Sequence, residues 1–325
     1  MRLITSDDIL DTYCKIVQRG SGFFLSKFTF NKTSRTKSAF SDTAFESSNW
    51  WIIPAVKRRW NKMITGNPDQ NYKQFLFENF VQGKTNLRLL SLGSGVCSHE
   101  LELAGYPNFA EIVCLDLAKN LLDQAEAIAK SEHKTNIKFV CSDIKNFDFK
   151  SDYYDFVLFN ASLHHFENVE QLLENQIKKC LKPSGKLIIN EYVGTTRQQF
   201  PNEQIDATNH AISIIPKPFR KRFKTNITKN SFSGPGMLRI IIADPSECID
   251  SESIIPSIHK NFKTLVEKPF GGNILMGALK DISHHFVETD AQKTAILNEL
   301  FQLEDDYLKN HQSDFVFGIY EKSSD

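Results

Sequence analysis

Four short stretches of this chain hold residue types that could do chemistry together. The apolar run Leu87 to Leu92 leads into Gly93, Ser94 and Gly95 and then into a helical start at Ser98. Glycines let a backbone approach a ligand closely, and a helix start offers unpaired N–H groups. By itself such a turn also fits a plain strand-to-helix connection. A second apolar run ends at Asp116 and Leu117, about 20 residues further on, where a carboxylate can accept both ribose hydroxyls of an adenosine ligand. A third ends in Cys141, Ser142, Asp143 and Ile144. There Asp143 could take an adenine amino group and Ile144 supply apolar contact, although Asp after a strand is also a common helix cap. A fourth run ends at Asn160 and continues through Ser162 to His164 and His165.

These groups can meet only if strand ends share one edge, as they do where ligands bind in open α/β sheets. From Asn86 onward short apolar runs alternate with helical segments, the pattern of parallel strands joined by crossover helices. The expected strands are residues 87–92, 112–116, 137–141, 156–160, 185–190, 262–268 and 314–321. Leu121, Leu122, Ala125 and Ala129 recur near a 3.6 period, so the helix between the second and third strands packs one face on the sheet. Residues 169–181 read as a helix that stops at Lys182, Pro183, Ser184 and Gly185. Further helices are expected at 251–261 and 291–309.

Ahead of the sheet, 4–17 and 50–64 show helical spacing, with Pro54 near a helix start, and Asn31 to Ser38 reads as a loop. Residues 1–85 therefore predict a helical N-terminal cap. Residues 195–236 interrupt the strand rhythm with prolines and the basic run Lys217, Arg220, Lys221, Arg222 and Lys224, which predicts an inserted helical lid. The expected fold is α/β: a Rossmann-like, doubly wound, mostly parallel seven-stranded sheet over 86–325, with the cap before it and the lid within it.

The glycine turn, Asp116, Asp143, the strand opening at Tyr154 and Asp155 with its His164–His165 tail, and the passage from Leu181 through Gly185 to Leu187 together resemble the class I S-adenosylmethionine-dependent methyltransferases. The resemblance covers about residues 86–192. Asn49 to Val56, Arg59 to Asn61, Asn190 to Gly194 and Asp244 to Glu247 resemble, more loosely, a bacterial small-molecule subgroup with a helical cap and a lid. The resemblance implies S-adenosylmethionine as donor and S-adenosylhomocysteine as product. It implies cofactor contacts from Gly93, Ser94, Gly95, Asp116, Leu117, Asp143, Ile144 and Asn160, and an antiparallel last strand. Arg59 is a candidate partner for the cofactor's methionine carboxylate, since a guanidinium offers two parallel donors. Two departures stand out: Ser91 where many members have an acid, and Cys97 where they have a third glycine. The methionine amino group is then expected to meet backbone carbonyls or the cap.

Methyl transfer from a sulfonium is an in-line displacement in which a dry, aligned site does most of the work. An alcohol or phenol acceptor needs a base; His165 and His164 are the first candidates and Glu191 the next. For the two histidines the plain alternative is a capped turn, and for Glu191 a core hydrogen bond. The basic lid run could draw an anionic acceptor, or simply be a solvated helix face. Resemblance within the subgroup points to a sugar or surface-glycan precursor.

Ser98 stands where a dinucleotide-binding Gly-x-Gly-x-x-Gly needs glycine, which argues against a dehydrogenase. Lys plus Arg and Asp plus Glu number 39 each, so no net field holds nucleic acid, and no Asn/Asp-Pro-Pro-aromatic tetrad follows the fourth strand. A nucleic-acid methyltransferase and a noncatalytic cofactor-binding or scaffold protein remain the alternatives. The first ten residues lack the apolar core of a secretory signal, and no run approaches the ~20 apolar residues of a membrane span. The six cysteines lack paired spacing, which fits reduced thiols in the cytoplasm and no metal site.

Overall fold

Leu87–Leu92 (β1), Phe109–Asp116 (β2), Ile137–Cys141 (β3), Tyr154–Asn160 (β4), Leu181–Tyr192 (β5), Phe262–Pro269 (β6) and Phe315–Lys322 (β7) line up as one sheet in the order β3-β2-β1-β4-β5-β7-β6. β1 pairs in parallel with β2 and with β4, β2 with β3, and β4 with β5. The central strands are nearly unbroken Leu, Ile, Val and Phe because helices cover both faces of a parallel sheet. In this computed structural model residues 1–19 and 48–322 are described; the expected loop at Asn31 to Ser38 lies outside them.

Two compact units share the chain. One takes residues 70–193, 248–268 and 316–325, the other 1–69, 194–247 and 269–315. The first is the α/β unit. Its core joins Leu90, Val157, Phe159, Leu187 and Ile189 of the sheet to Val169, Leu173 and Ile177 of the following helix and to Ile254 and Ile258 of the helix Ile254–Asn261. The helix Lys119–Ser131 buries Leu121, Leu122, Ala125 and Ala129, the face its period predicted.

The expected stop at Lys182 to Gly185 takes a different form. Leu181 already pairs with Tyr154 while Lys186 pairs with Phe156, so residues 182–185 bulge out of β5. Ser184 turns the chain at φ 61°, and a Cβ on Gly185 would lie 2.8 Å from the Lys182 carbonyl.

The second unit is helical: Ser6–Arg19, Pro54–Thr65 with Pro54 in its first turn, Asn202–Ile214, Met237–Ala243, Leu275–Leu279 and Ala291–Leu308. Trp50, Ile53, Val56, Ile212, Ile215, Ile274, Leu297 and Leu300 form its core. Trp50 is buried edge-on to Trp60, with ring centroids 4.6 Å apart, whereas Trp51 is exposed. The helix Ala291–Leu308, expected with the sheet, thus belongs here, because its buried face matches that of the cap and lid helices. The division at residue 85 gives way to one at 69/70. Among the described residues no helix is long and apolar enough to cross a membrane.

Candidate active site

The order of the sheet reverses between β1 and β4: the chain winds outward through β2 and β3, then returns to the other side of β1. At such a switch point the carboxyl ends of the two strands diverge and leave a crevice. Gly93, Ser94 and Gly95 leave β1 there. The backbone N–H groups of Gly93 and Ser94 donate to the Leu115 carbonyl at 2.8 and 3.2 Å, which ties the turn to the end of β2. Gly93 has φ 69°, and a Cβ on it would stand 2.7 Å from Cβ of Ser162, so only glycine fits beside the turn that follows β4. Gly95 has φ 54°, yet a Cβ there would meet nothing within 4 Å. Its outer face is open.

Asp116 stands beside that open face. Its Oδ2 accepts the Gly95 N–H and its Oδ1 the Ala118 N–H, both at 2.7 Å, so the carboxylate is oriented by backbone before any ligand arrives. Leu117 next to it is half-buried. Asp143 caps the short turn Ile144–Asn146 through Oδ1, which accepts the Lys145 N–H at 2.9 Å, so the helix-cap reading of this residue holds for one oxygen. Ile144 packs against the sheet core.

Beyond β4, Asn160 accepts from the Tyr72 hydroxyl at 3.0 Å and from the Asn190 amide at 2.8 Å. The chain turns at Ala161 (φ 51°), and the Ser162 hydroxyl donates to the Leu92 carbonyl at 2.6 Å. Glu191, at the end of β5 and fully buried, anchors this turn. One oxygen accepts the N–H groups of Ser162 and Leu163, the other pairs with Nδ1 of His164 at 2.7 Å. Glu191 as carboxylate keeps a proton on Nδ1, which places the ring's lone pair on Nε2. Glu191 thus ties the turn after β4 to the His164 ring, and both residues stand together at the carboxyl edge of the sheet. The His165 ring, less buried, lies 4.2 Å from that of His164.

Two expectations are corrected. Arg59 is committed inside the helical unit, donating to Asp305 at 2.8 Å and Glu304 at 3.3 Å and lying 5.2 Å over the Phe301 ring. Glu304, fully buried, accepts the N–H groups of Gly272, Ile274 and Leu275, so Arg59 neutralises a structural carboxylate. Within the basic run, Arg222 is buried against Asp281, with Asp7 and Asp11 nearby, and works as a structural cation. Only Lys217, Lys221 and Lys224 of that run are exposed.

The sequence reading missed Tyr72, His99 and Glu100. The Tyr72 hydroxyl meets Nδ1 of His99 at 2.9 Å. Burial, with Lys73 adding to it, pushes the His99 imidazole down to about 4, so it is neutral near pH 7. Glu100, buried, accepts the Ser91 hydroxyl at 2.6 Å, and burial raises its pKa. Ser91, standing where the resemblance expects an acid, was the one local signal, and it pointed to backbone carbonyls or the cap rather than to Glu100.

Residues 90–189 match the family model described as a methyltransferase domain. Phosphoethanolamine N-methyltransferase 2 of Caenorhabditis elegans is 24% identical over 156 residues, 48% of this chain and 33% of that protein. The uncharacterized methyltransferase YcgJ of Bacillus subtilis is 23% identical over 105 residues, 32% of this chain and 40% of that protein. The matched parts thus span well under half of either relative. Among solved structures, Haemonchus contortus phosphoethanolamine N-methyltransferase 2 in complex with S-adenosyl-L-methionine overlays with a TM-score of 0.49 at 14% identity, covering 93% of this chain and 59% of that one. With its glycine turn, strand-end acids and switch-point crevice, the α/β unit carries, over residues 90–189, a methyltransferase domain similar to those of the class I S-adenosylmethionine-dependent enzymes.

Proposed function

We propose that the chain transfers a methyl group from S-adenosylmethionine to an oxygen or nitrogen of a small molecule, in the cytoplasm. One observation carries the reading: the ends of β1, β2, β3 and β4 present the glycine turn, Asp116, Asp143 and Asn160 along a single edge, beside the open face of Gly95. That array fits an adenosine ligand, with ribose against the outward lone pairs of Asp116 and the base between Asp143 and Ile144. Leu117 supports the same ligand from the end of β2. Six free cysteines, five of them buried, agree with a reducing compartment.

The donor, when bound, supplies an electrophilic methyl on a sulfonium. The chain's part is positioning and proton handling. Glu191 orients the His164 ring and stabilises its protonated form, and Nε2 of His164 takes the proton that an oxygen acceptor must lose. His165, next to it, lines the same turn. A sugar or surface-glycan precursor is the acceptor class favoured here, and phosphoethanolamine, named in a relative, belongs in the same screen.

The test is calorimetric titration with S-adenosylmethionine and S-adenosylhomocysteine, followed by an acceptor panel that begins with sugar nucleotides. Asp116→Ala is expected to weaken both ligands by about 100-fold, the scale of losing a charge-assisted pair of hydrogen bonds. Failure of the wild-type chain to bind either ligand would remove the proposal. Binding without methyl transfer across the panel would favour a noncatalytic role.

A further inference from the structure

Resting on that reading, we infer that Glu100 is the anionic group that receives the ammonium of the donor's amino-acid end, in place of the acid that position 91 lacks. β1 carries Ser91 two residues before Gly93, and Ser91 is buried. Its hydroxyl points to Oε1 of Glu100, 2.6 Å away, on the helix Ser98–Leu103 that follows the glycine turn. The Glu100 carboxylate therefore lies just beyond the tip of the residue-91 side chain, roughly where a longer acidic side chain from β1 would end. The acid has moved from the strand to the helix, and the short Ser91 side chain leaves the room for it.

Compensation around Glu100 is thin. Lys73, on the neighbouring helix Tyr72–Leu76, is paired with Glu102, and its field on Glu100 does not offset the effect of burial. The polar groups on the adjoining wall, Tyr72, His99, Asn160 and Asn190, are hydrogen-bonded among themselves. His99 brings no positive charge, because burial keeps its ring neutral. Asp116 is a further negative group acting on Glu100. A buried carboxylate whose donors are one hydroxyl and its own backbone N–H gains from a cation brought to it, and a primary ammonium, with three donors, also suits the neutral oxygens nearby. Cys97, at the start of that helix, holds φ 54°, the left-handed region that glycine enters most readily.

The test compares two ligands that share adenosine and thioether: S-adenosylhomocysteine, with the amino-acid end, and 5′-methylthioadenosine, without it. The wild-type chain is expected to prefer the first. Glu100→Gln, which keeps an oxygen for Ser91, is expected to weaken S-adenosylhomocysteine by about tenfold or more and leave 5′-methylthioadenosine within about twofold. Adding Ser91→Asp to Glu100→Gln should restore most of the lost preference. Thermal melts establish that each variant is folded. Equal weakening of both ligands, or none, would overturn the inference while leaving the methyltransferase reading intact. A wild type that binds neither ligand overturns both.

Discussion

In the proposed reaction His164 and Glu191 divide the labour of one base: the carboxylate, buried and satisfied by two backbone N–H groups and a ring nitrogen, orients, and the imidazole takes the proton. His164→Ala should lower kcat for an oxygen acceptor by about 10²–10⁴-fold with S-adenosylhomocysteine affinity within a few-fold, measured by steady-state kinetics and titration. Glu191→Gln should lower kcat by about 10²-fold with the fold retained, because its amide N–H, facing Nδ1, drives the ring proton to Nε2. A merely structural role for Glu191 would instead lower stability and leave kcat of the folded variant near the wild-type value. At Gly93 the constraint is steric. Gly93→Ala meets Ser162 at 2.7 Å and retains φ 69°, so it should cost about 1–3 kcal/mol in denaturant unfolding and abolish tight cofactor binding.

Among the elements, the start of β4 holds a motif residue whose place is structural. Asp155, part of the pattern that suggested the family, sits at the amino end of its strand, away from the ligand edge. Its Oδ2 accepts the Arg88 N–H at 2.8 Å and the Lys182 ammonium at 2.7 Å, joining the beginnings of β1 and β4 to the bulge in β5. Asp155→Ala is expected to cost about 1–2 kcal/mol of stability and to leave cofactor affinity unchanged, as chemical denaturation and titration would show. The strands were legible because a parallel sheet writes itself as unbroken apolar runs, and the glycine turn and Asp116 because their spacing follows strand and helix lengths. What could not be read were meetings of distant residues. Nothing local in Arg59 reveals Glu304, and nothing in Tyr72 reveals His99 or Asn160. The bulge at 182–185 was read as a helix stop because Pro and Gly report a turn without saying whether a strand resumes on both sides.

At the scale of the molecule, two units with separate cores have separate sensitivities. Asp314 in the helical unit is pushed up to about 7, chiefly by burial and further by Glu304, against the hydrogen bond from Gln204 at 2.7 Å. Between the unfolded value near 3.8 and about 7, the native chain keeps a proton that the unfolded chain has released. Stability therefore falls as pH rises through that window, by up to about 1.4 kcal/mol per pH unit. Asp314→Asn should flatten this slope in thermal melts taken from pH 4 to 7, and an unaltered slope would assign it to other groups.

The placing of β7 sets an order on the making of the protein. A ribosome delivers β6 before β7, yet β7 lies between β5 and β6. Until residue 322 has been synthesised, β6 has no neighbour to pair with, and β5 stands as an open edge that another nascent chain could join. The helical unit is delayed too, because Trp50, Ile53 and Val56 wait for Leu297 and Leu300 to close their core. Vectorial synthesis thus yields a five-stranded half-sheet first, and both units close together only once β7 has been made.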